Sequence, residues 1–207
     1  MPAPQTECIV VARRGMGQDR AAVDSSNGAT TLVLSDGAGG RAGGRQAAEL
    51  CTATALERMR DADDIDPLAV LTELDRILRA DRDAGETTLV LSQLVGNKLR
   101  GASVGDSGAW LIGDSEYQDL TDHQIRKPML GSGAARGTAF TASITSETLL
   151  IASDGLLKFA TPATICDIVR NATDDLATAG RQLIDSVRLR SGDLQDDTSL
   201  ILLRCVR

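Results

Sequence analysis

Short apolar runs alternate along this chain with longer segments in which apolar residues recur every three or four positions. Apolar runs of four to eight residues bounded by Gly, Asn, Asp or Ser are typical of buried β-strands. They predict strands at residues 8–12, 30–35, 87–95, 98–104, 109–112, 139–144, 148–152 and 198–206.

Several of these strands are joined by very short connections. Gly96-Asn97 is a two-residue hairpin signal between residues 87–95 and 98–104. Since a parallel crossover needs a dozen residues or more, we expect residues 87–95, 98–104 and 109–112 to be antiparallel neighbours. Residues 139–144 and 148–152 predict another hairpin.

Four segments carry the helical pattern. They predict helices at residues 44–61, 67–82, 162–171 and 174–190. Pro67 suits the first turn of the second helix, and Gly85 ends it. The order of strands, two helices, strands, two helices and a strand predicts an α+β layered fold. Without an internal repeat or linker, residues 1–207 are expected to form a single domain.

Composition limits the possible partners. The chain is 42% hydrophobic but only 2% aromatic, so we expect a core of Leu, Val, Ile and Ala. A net charge of −7 argues against nucleic acid or an anionic membrane as a partner. Neither a leader-like N-terminus nor a long apolar run is present, so a cytoplasmic location is expected.

Cysteine and histidine do not indicate a zinc site. The 4 cysteines are widely spaced and the chain has 1 histidine, His123. We expect the cysteines to be buried free thiols in a reducing compartment.

Acidic residues recur at the ends of the predicted strands, often beside glycine. Ser35-Asp36-Gly37 and Ser153-Asp154-Gly155 each follow an apolar run, Gly105-Asp106-Ser107 forms another acidic turn, and Asp196-Asp197 precedes the last strand. Asp-Gly also marks ordinary turns, which is the alternative for any one of them. If the carboxylates converge, they would suit a hard divalent cation such as Mg²⁺ or Mn²⁺.

The order and context of these motifs resemble the type 2C metal-dependent protein phosphatases, in a compact bacterial form. Five motifs carry the resemblance, in order: Arg14-x-x-x-Gln18-Asp19, Ser35-Asp36-Gly37-Ala38-Gly39-Gly40, Gly105-Asp106-Ser107, Ala152-Ser153-Asp154-Gly155-Leu156 and Asp196-Asp197-Thr198-Ser199. Thr87-Thr88 and Thr121-Asp122-His123 also look like family features. The resemblance extends from about residue 9 to residue 204.

The resemblance implies a four-layer α/β/β/α sandwich of two antiparallel sheets flanked by helix pairs. It also implies two Mg²⁺ or Mn²⁺ ions, with a third, weaker one in bacterial members. By position, Asp36 matches the bridging ligand and Gly37 offers its carbonyl. Asp154 and Asp196 match the other direct ligands, and Asp19 matches a ligand that acts directly or through water.

The remaining implied roles concern the third ion and the substrate. Asp106 resembles a ligand of the third ion, and Arg14 matches the arginine that binds substrate phosphate, although a surface salt bridge is its alternative. The implied reaction is attack on phosphorus by a water that bridges two metals.

This sequence departs from the family pattern at a few positions. Ala38 stands where some relatives have a histidine proposed as general acid, and Gln18 stands where many have an acidic residue. Only residues 124–129 separate Asp122-His123 from Leu130-Gly131, where relatives carry a flap of some tens of residues. We therefore expect the flap subdomain to be reduced and the metal centre to be open.

Three functions remain open from the sequence. The first is a monomeric protein serine/threonine phosphatase that reverses the action of a serine/threonine kinase on phosphoproteins. The second is a non-catalytic module of the same fold that binds a partner, and the third is a hydrolase of small phosphate esters. Substrate choice lies in surface loops, so the sequence does not separate the first from the third.

Overall fold

The computed structural model describes residues 4–38, 43–61, 65–172 and 175–205. It contains two antiparallel sheets of five strands each, and five helices within the described ranges. The elements are β1 (Gln5–Val11), β2 (Arg20–Ser26), β3 (Ala29–Ser35), α1 (Gly44–Asp61), α2 (Pro67–Ala80), β4 (Leu89–Val95), β5 (Lys98–Val104), β6 (Gly108–Ile112), β7 (Tyr117–Asp119), β8 (Thr138–Ser143), β9 (Thr148–Ala152), α3 (Asp154–Leu157), α4 (Pro162–Asn171), α5 (Leu176–Ser186) and β10 (Thr198–Arg204).

The two sheets stack face to face, and a helix pair covers each outer face. One sheet has the order β1-β10-β9-β6-β7 and the other the order β2-β3-β4-β5-β8. Leu32 and Leu34 of β3 pack with Ile151 and Ile201 between the sheets, whereas Val33 faces α1 and α2. A second outer core lies between the first sheet and α4 and α5. The predicted α+β sandwich is confirmed.

Each predicted strand overlaps an observed one, although β1 spans Gln5–Val11 instead of 8–12 and β4 begins at Leu89 instead of residue 87. The central strands could be predicted from their apolar runs because both of their faces are buried. Such strands lack the alternation of a half-exposed sheet and form nearly continuous apolar sequences. The partly exposed β2 and the short β7, which carry no such run, were missed, as was α3. The predicted ends of α2, α5 and β10, at residues 82, 190 and 206, are later than the observed ends at Ala80, Ser186 and Arg204. Residue 174, the predicted start of α5, and residue 206 lie outside the described residues.

Two predicted strand pairings are wrong. β8 pairs with β5, whereas β9 pairs with β10 and β6, so β8 and β9 belong to different sheets and form no hairpin. Likewise β5 and β6 are consecutive but lie in different sheets, although β4 and β5 pair as predicted. A connection of a few residues can cross the roughly 10 Å between stacked sheets as well as it can reverse a strand within one.

The polar segment 113–137 is tied to the rest of the fold and contains no helix. Asp75 of α2 is buried, and its carboxylate accepts hydrogen bonds from the backbone N–H groups of Gly131 (2.8 Å), Gly133 (3.0 Å) and Ala135 (3.1 Å). Leu130 exchanges backbone hydrogen bonds of 3.1 Å with Thr87. The segment is therefore a short, fastened connection, in agreement with a reduced flap.

The cysteines agree only in part with their prediction. All are free, and Cys51 and Cys166 are buried, but Cys8 is exposed on β1. Cys8 lies on β1, which is an edge strand of its sheet. Within the described residues, no helix has both the length and the apolar character needed to cross a membrane.

Candidate metal centre

Three carboxylates from distant parts of the chain meet at one end of the sandwich. Asp36, Asp106 and Asp154 each offer an oxygen, and these oxygens all lie within 4.8 Å of one another. Asp36 follows β3, Asp106 follows β5, and Asp154 begins α3 directly after β9. Since β3 and β5 belong to one sheet and β9 to the other, the cluster joins the two sheets.

The backbone that carries Asp36 is held by the Thr87-Thr88 pair. The Thr88 hydroxyl accepts a 3.0 Å hydrogen bond from the Asp36 backbone N–H, and the Thr87 hydroxyl donates to the Asp36 carbonyl at 2.8 Å. The Thr88 and Ser107 hydroxyls are 2.8 Å apart, which links Asp36 to the turn that contains Asp106. The threonine pair thus fixes two of the three carboxylates relative to each other.

The glycines that follow Asp36 and Asp154 are required by close backbone packing. A Cβ on Gly37 would lie 2.3 Å from the Gly44 carbonyl oxygen, and a Cβ on Gly155 would lie 1.9 Å from the Asp197 carbonyl oxygen. Any larger residue would push away the N-terminus of α1 or the segment before β10. The repeated Asp-Gly pattern therefore reflects backbone contact on both sides of the site.

Asp19 lies beneath the cluster. It is buried, its Oδ2 accepts a 2.8 Å hydrogen bond from the Ser199 hydroxyl, and its Oδ1 is buried with no partner among the described residues. Burial is the main cause that raises the pKa of Asp19, and its carboxyl interacts with that of Asp36. Asp19 is thus a buried carboxyl group next to Asp36.

The electrostatics of the cluster favour a cation. Burial, followed by the charges of Asp19 and Asp154, raises the pKa of Asp36 to about 10. Burial, followed by the charges of Asp106 and Asp196, raises the pKa of Asp154 to about 6. Carboxylates that repel one another in this way are stabilised by a bound metal ion. An all-oxygen donor set suits Mg²⁺ or Mn²⁺.

Asp196 lies at the edge of this cluster. It is exposed, lines the same pocket as Asp36 and Asp154, and accepts a 3.0 Å hydrogen bond from the Asp197 backbone N–H. Its carboxylate is outside the compact group formed by Asp36, Asp106 and Asp154. The structure therefore brings together three of the predicted ligands closely, with Asp196 at the rim and Asp19 behind.

The loop that carries Arg14 is held by Asp197. The Asp197 carboxylate accepts hydrogen bonds from the Arg13 backbone N–H at 2.7 Å and the Gln18 backbone N–H at 2.6 Å, one at each end of the loop. The Arg14 side chain is exposed and lines the pocket. The sequence analysis assigns no role to Asp197. Its position next to Asp196 in the last motif is the feature of the sequence that could have drawn attention to it.

These residues surround an open pocket of about 800 Å³. Asp36, Asp106 and Asp154 form its floor, and its rim carries Asp196 and the cationic side chains Arg13, Arg14, Arg45 and Lys127. Ala38 lines the pocket, whereas His123 does not: its side chain is 89% exposed, and its Nε2 lies 3.5 Å from Asp122 Oδ2. No residue type in the described lining supplies an imidazole or a thiol.

Comparison with known proteins agrees with this architecture. The profile of the family described as Stage II sporulation protein E (SpoIIE) matches residues 26–206. Comparison with curated proteins gives no match.

Solved bacterial phosphatases share the fold. The serine/threonine phosphatase Stp1 from Staphylococcus aureus is 16% identical with a TM-score of 0.84, and the alignment covers 100% of this chain and 96% of that one. The serine/threonine phosphatase of S. agalactiae is 18% identical with a TM-score of 0.85, covering 99% and 100%. PstP/Ppp of Mycobacterium tuberculosis is 21% identical with a TM-score of 0.80, covering 99% of both chains.

At these identities the solved structures support the fold, while the family match covers most of the sequence. The chain belongs to the SpoIIE family of PPM-type phosphatases, which are hydrolases acting on phosphoproteins.

Proposed function

We propose that this chain is a divalent-metal-dependent protein phosphatase that hydrolyses phosphoserine and phosphothreonine on partner proteins. The observation that supports this most strongly is the convergence of Asp36, Asp106 and Asp154 within 4.8 Å at the floor of an open pocket. Turns that merely contain Asp-Gly would have no reason to meet at one point.

The residues present fit a metal centre. Asp36, the Gly37 carbonyl, Asp154 and Asp196 would hold two Mg²⁺ or Mn²⁺ ions, with Asp19 acting from below and Asp106 contributing to a third. The unpartnered oxygen of Asp19 and the raised pKa of Asp36 are both consistent with a missing positive charge. Bound ions would neutralise phosphate charge and lower the pKa of a coordinated water, which supplies the nucleophile.

The protein's own groups supply binding and orientation. Arg14 would bind two phosphate oxygens through its planar guanidinium. The Thr88 hydroxyl, although it lines the pocket, already bonds the Asp36 N–H and Ser107, so it is poorly placed to act as a nucleophile. With no thiol or imidazole in the described lining, direct hydrolysis fits better than a covalent intermediate.

The proposal includes a partner class. A protein serine/threonine kinase would generate the substrates, and the chain would act as a monomeric catalytic domain. Retention of the carboxylate cluster makes a purely non-catalytic module the weaker alternative. A hydrolase of small phosphate esters would use the same chemistry, so only an experiment can distinguish it from a protein phosphatase.

One experiment distinguishes these functions. Hydrolysis of p-nitrophenyl phosphate and of a phosphothreonine peptide is measured after chelation and after addition of Mn²⁺ or Mg²⁺. We expect no turnover in chelator, recovery with either ion, and a higher kcat/KM for the peptide. Full activity in excess chelator would contradict the metal-dependent reaction, and preference for the small ester would favour the alternative hydrolase.

Variants test the ligand assignments in the same assay. Asp36→Asn, Asp154→Asn and Asp196→Asn should each lower kcat by at least about 100-fold, because metal ions contribute several kcal/mol to transition-state stabilisation. The exposed Asp114, which lies outside the pocket, supplies the matched control Asp114→Asn, with expected wild-type rates. Wild-type rates for Asp36→Asn would show the assignment to be wrong.

A further inference from the structure

The pocket rim carries more positive charge than one phosphate group requires. Arg13 and Arg14 reach it from the loop after β1, Arg45 from the first turn of α1, and Lys127 from the short connection before Leu130. The chain as a whole is acidic, with 29 Asp and Glu against 22 Lys and Arg. The same lining holds five carboxylates, Asp36, Asp106, Asp154, Asp196 and Asp197, so the four cations give it a net positive charge once the two divalent ions of the proposed function are bound.

None of these four cations forms an ion pair with a carboxylate in the described part of the chain. Basic residues elsewhere do pair, as Arg58 does with Glu73 at 2.9 Å and Arg60 with Asp24 at 3.1 Å. Among the described residues, none of the four lies within 4 Å of a carboxylate oxygen, so none is committed to a close ion pair. Their charges remain available to a ligand.

The Arg45 side chain and the backbone connection that carries Lys127 both contact neutral groups. Arg45 Nη1 lies 3.3 Å from Met16 Sδ, and the Met16 side chain is 75% exposed at the pocket edge. The Lys127 connection is fastened on both sides, since Gly105 N–H donates to the Ile125 carbonyl at 3.0 Å and Leu130 pairs with Thr87. Met129 lies beside it in the pocket lining. Met16 and Met129 thus place two flexible thioethers in the same pocket lining, where they can adapt to a bound chain.

We propose that Arg45 and Lys127 form a subsite for acidic groups next to the phosphorylated residue, so that the preferred substrate is a phosphoprotein segment with adjacent carboxylates or a second phosphate. This inference rests on the proposed phosphatase function. Arg14 is assigned to the phosphate being hydrolysed, and Arg13 precedes it on the same loop. Arg45 and Lys127, which come from two other parts of the fold, are the cations assigned to a second negative group. Clustered cations at a cleft also speed the encounter with an acidic segment.

The test compares phosphoserine peptides that differ only in their flanking residues. Peptides flanked by alanine and by glutamate are hydrolysed by wild type, Arg45→Gln, Lys127→Gln and the double variant, with Mn²⁺ present. We expect wild type to favour the glutamate peptide by about tenfold in kcat/KM, and each variant to reduce that ratio about threefold, as for exposed charge pairs. High salt should reduce the ratio as well.

The chain offers a close control. Arg126 precedes Lys127 and is exposed, but it does not line the pocket, so Arg126→Gln should keep the wild-type ratio. Fluorescence anisotropy in chelator, where turnover is absent, measures binding of the glutamate peptide and of a doubly phosphorylated peptide separately. If the double variant loses binding of the glutamate peptide, the subsite takes carboxylates. If it loses binding of the doubly phosphorylated peptide, the subsite takes a second phosphate.

The outcomes separate the two proposals. Equal hydrolysis of the alanine and glutamate peptides by wild type would overturn the subsite and leave the phosphatase function intact. A preference that persists unchanged in the double variant would also overturn the subsite. Absence of hydrolysis of every peptide with Mn²⁺ present would instead contradict the proposed function itself.

Discussion

The Asp197 carboxylate accepts a 2.6 Å hydrogen bond from the Gln18 backbone N–H, although 179 positions separate the two residues in the chain. Its other oxygen accepts from Arg13 N–H at 2.7 Å. Both ends of the loop that presents Arg14 are thus anchored to the segment that carries Asp196. Arg14, the proposed phosphate-binding arginine, and Asp196, a proposed metal ligand, are therefore positioned by the same residue, Asp197.

The first prediction concerns this anchor. Asp197→Ala should raise KM for phosphopeptides more than it lowers kcat, because a looser loop positions Arg14 less well. Arg14→Ala should act in the same direction. In the double variant the two effects on KM should not add, since Asp197 acts through Arg14.

A purely structural role for Asp197 would give a different result. It would lower the melting temperature and reduce kcat without a specific change in KM, and its effect would add to that of Arg14→Ala. Asp197→Asn keeps one acceptor oxygen and should recover part of the KM of the wild type. Melting curves of all variants serve as the folding control.

The second prediction concerns the pH dependence of the metal-free protein. Because the pKa of Asp36 is raised to about 10, its bound proton stabilises the folded state below the ordinary pKa, and this stability is lost as pH rises towards 10. Asp154, with its pKa raised to about 6, contributes only at lower pH. In chelator, the melting temperature of wild type should therefore fall between about pH 7 and about pH 9.

Asp36→Asn removes this titration. The variant should be more stable than wild type in chelator at about pH 9, and its melting temperature should vary less over the same range. Added Mn²⁺ should stabilise wild type and have little effect on Asp36→Asn, since a ligand that binds only the folded state raises its stability. An identical pH dependence in both proteins would contradict the raised pKa of Asp36.

The third prediction concerns Asp75, which fastens residues 131–135 to α2 through three backbone N–H groups. Asp75→Ala would leave these N–H groups without their acceptor, at a cost on the order of 3 kcal/mol in the free energy of unfolding. The pocket wall that contains Lys127 and Met129 should loosen as well. Chemical denaturation measures the stability, with Arg76→Ala on the exposed side of α2 as the control, expected within about 0.5 kcal/mol of wild type.

The fourth prediction concerns the turn that carries the chain from one sheet to the other between β8 and β9. Glu147 accepts hydrogen bonds from the Thr145 N–H at 2.8 Å and the Ser146 N–H at 2.9 Å, and these lower its pKa to about 2. The ionised carboxylate therefore stabilises the fold above its ordinary pKa of 4.5, and this stability is lost as pH falls towards 2.

Glu147→Gln should destabilise the protein by about 1 kcal/mol or less at neutral pH, because the side chain is partly exposed. The difference from wild type should shrink as pH falls through the acidic range. Denaturation at neutral and acidic pH measures it, with the exposed Glu116→Gln as control. A difference that stays constant with pH would contradict the lowered pKa.

Much of the secondary structure could be predicted because central strands buried on both faces have continuous apolar sequences, and because apolar residues recur every three or four positions along α2, α4 and α5. Pairing could not be predicted from loop length. Residues 105–107 and 144–147 both cross between sheets, and whether a short loop reverses within a sheet or crosses to the next depends on which faces the two strands bury together. That is a property of the packed core rather than of the loop.

The same distinction between sequence and tertiary structure applies to the candidate site. The sequence by itself determined which carboxylates stand at strand ends and in what order, and so indicated a hard-metal site and the phosphatase family. Only the tertiary structure decided that Asp36, Asp106 and Asp154 meet within 4.8 Å, that Asp19 is buried next to Asp36, and that Asp197 anchors the Arg14 loop. The reason is that these distances join residues far apart in the chain, and they are set by how two sheets stack rather than by any local pattern.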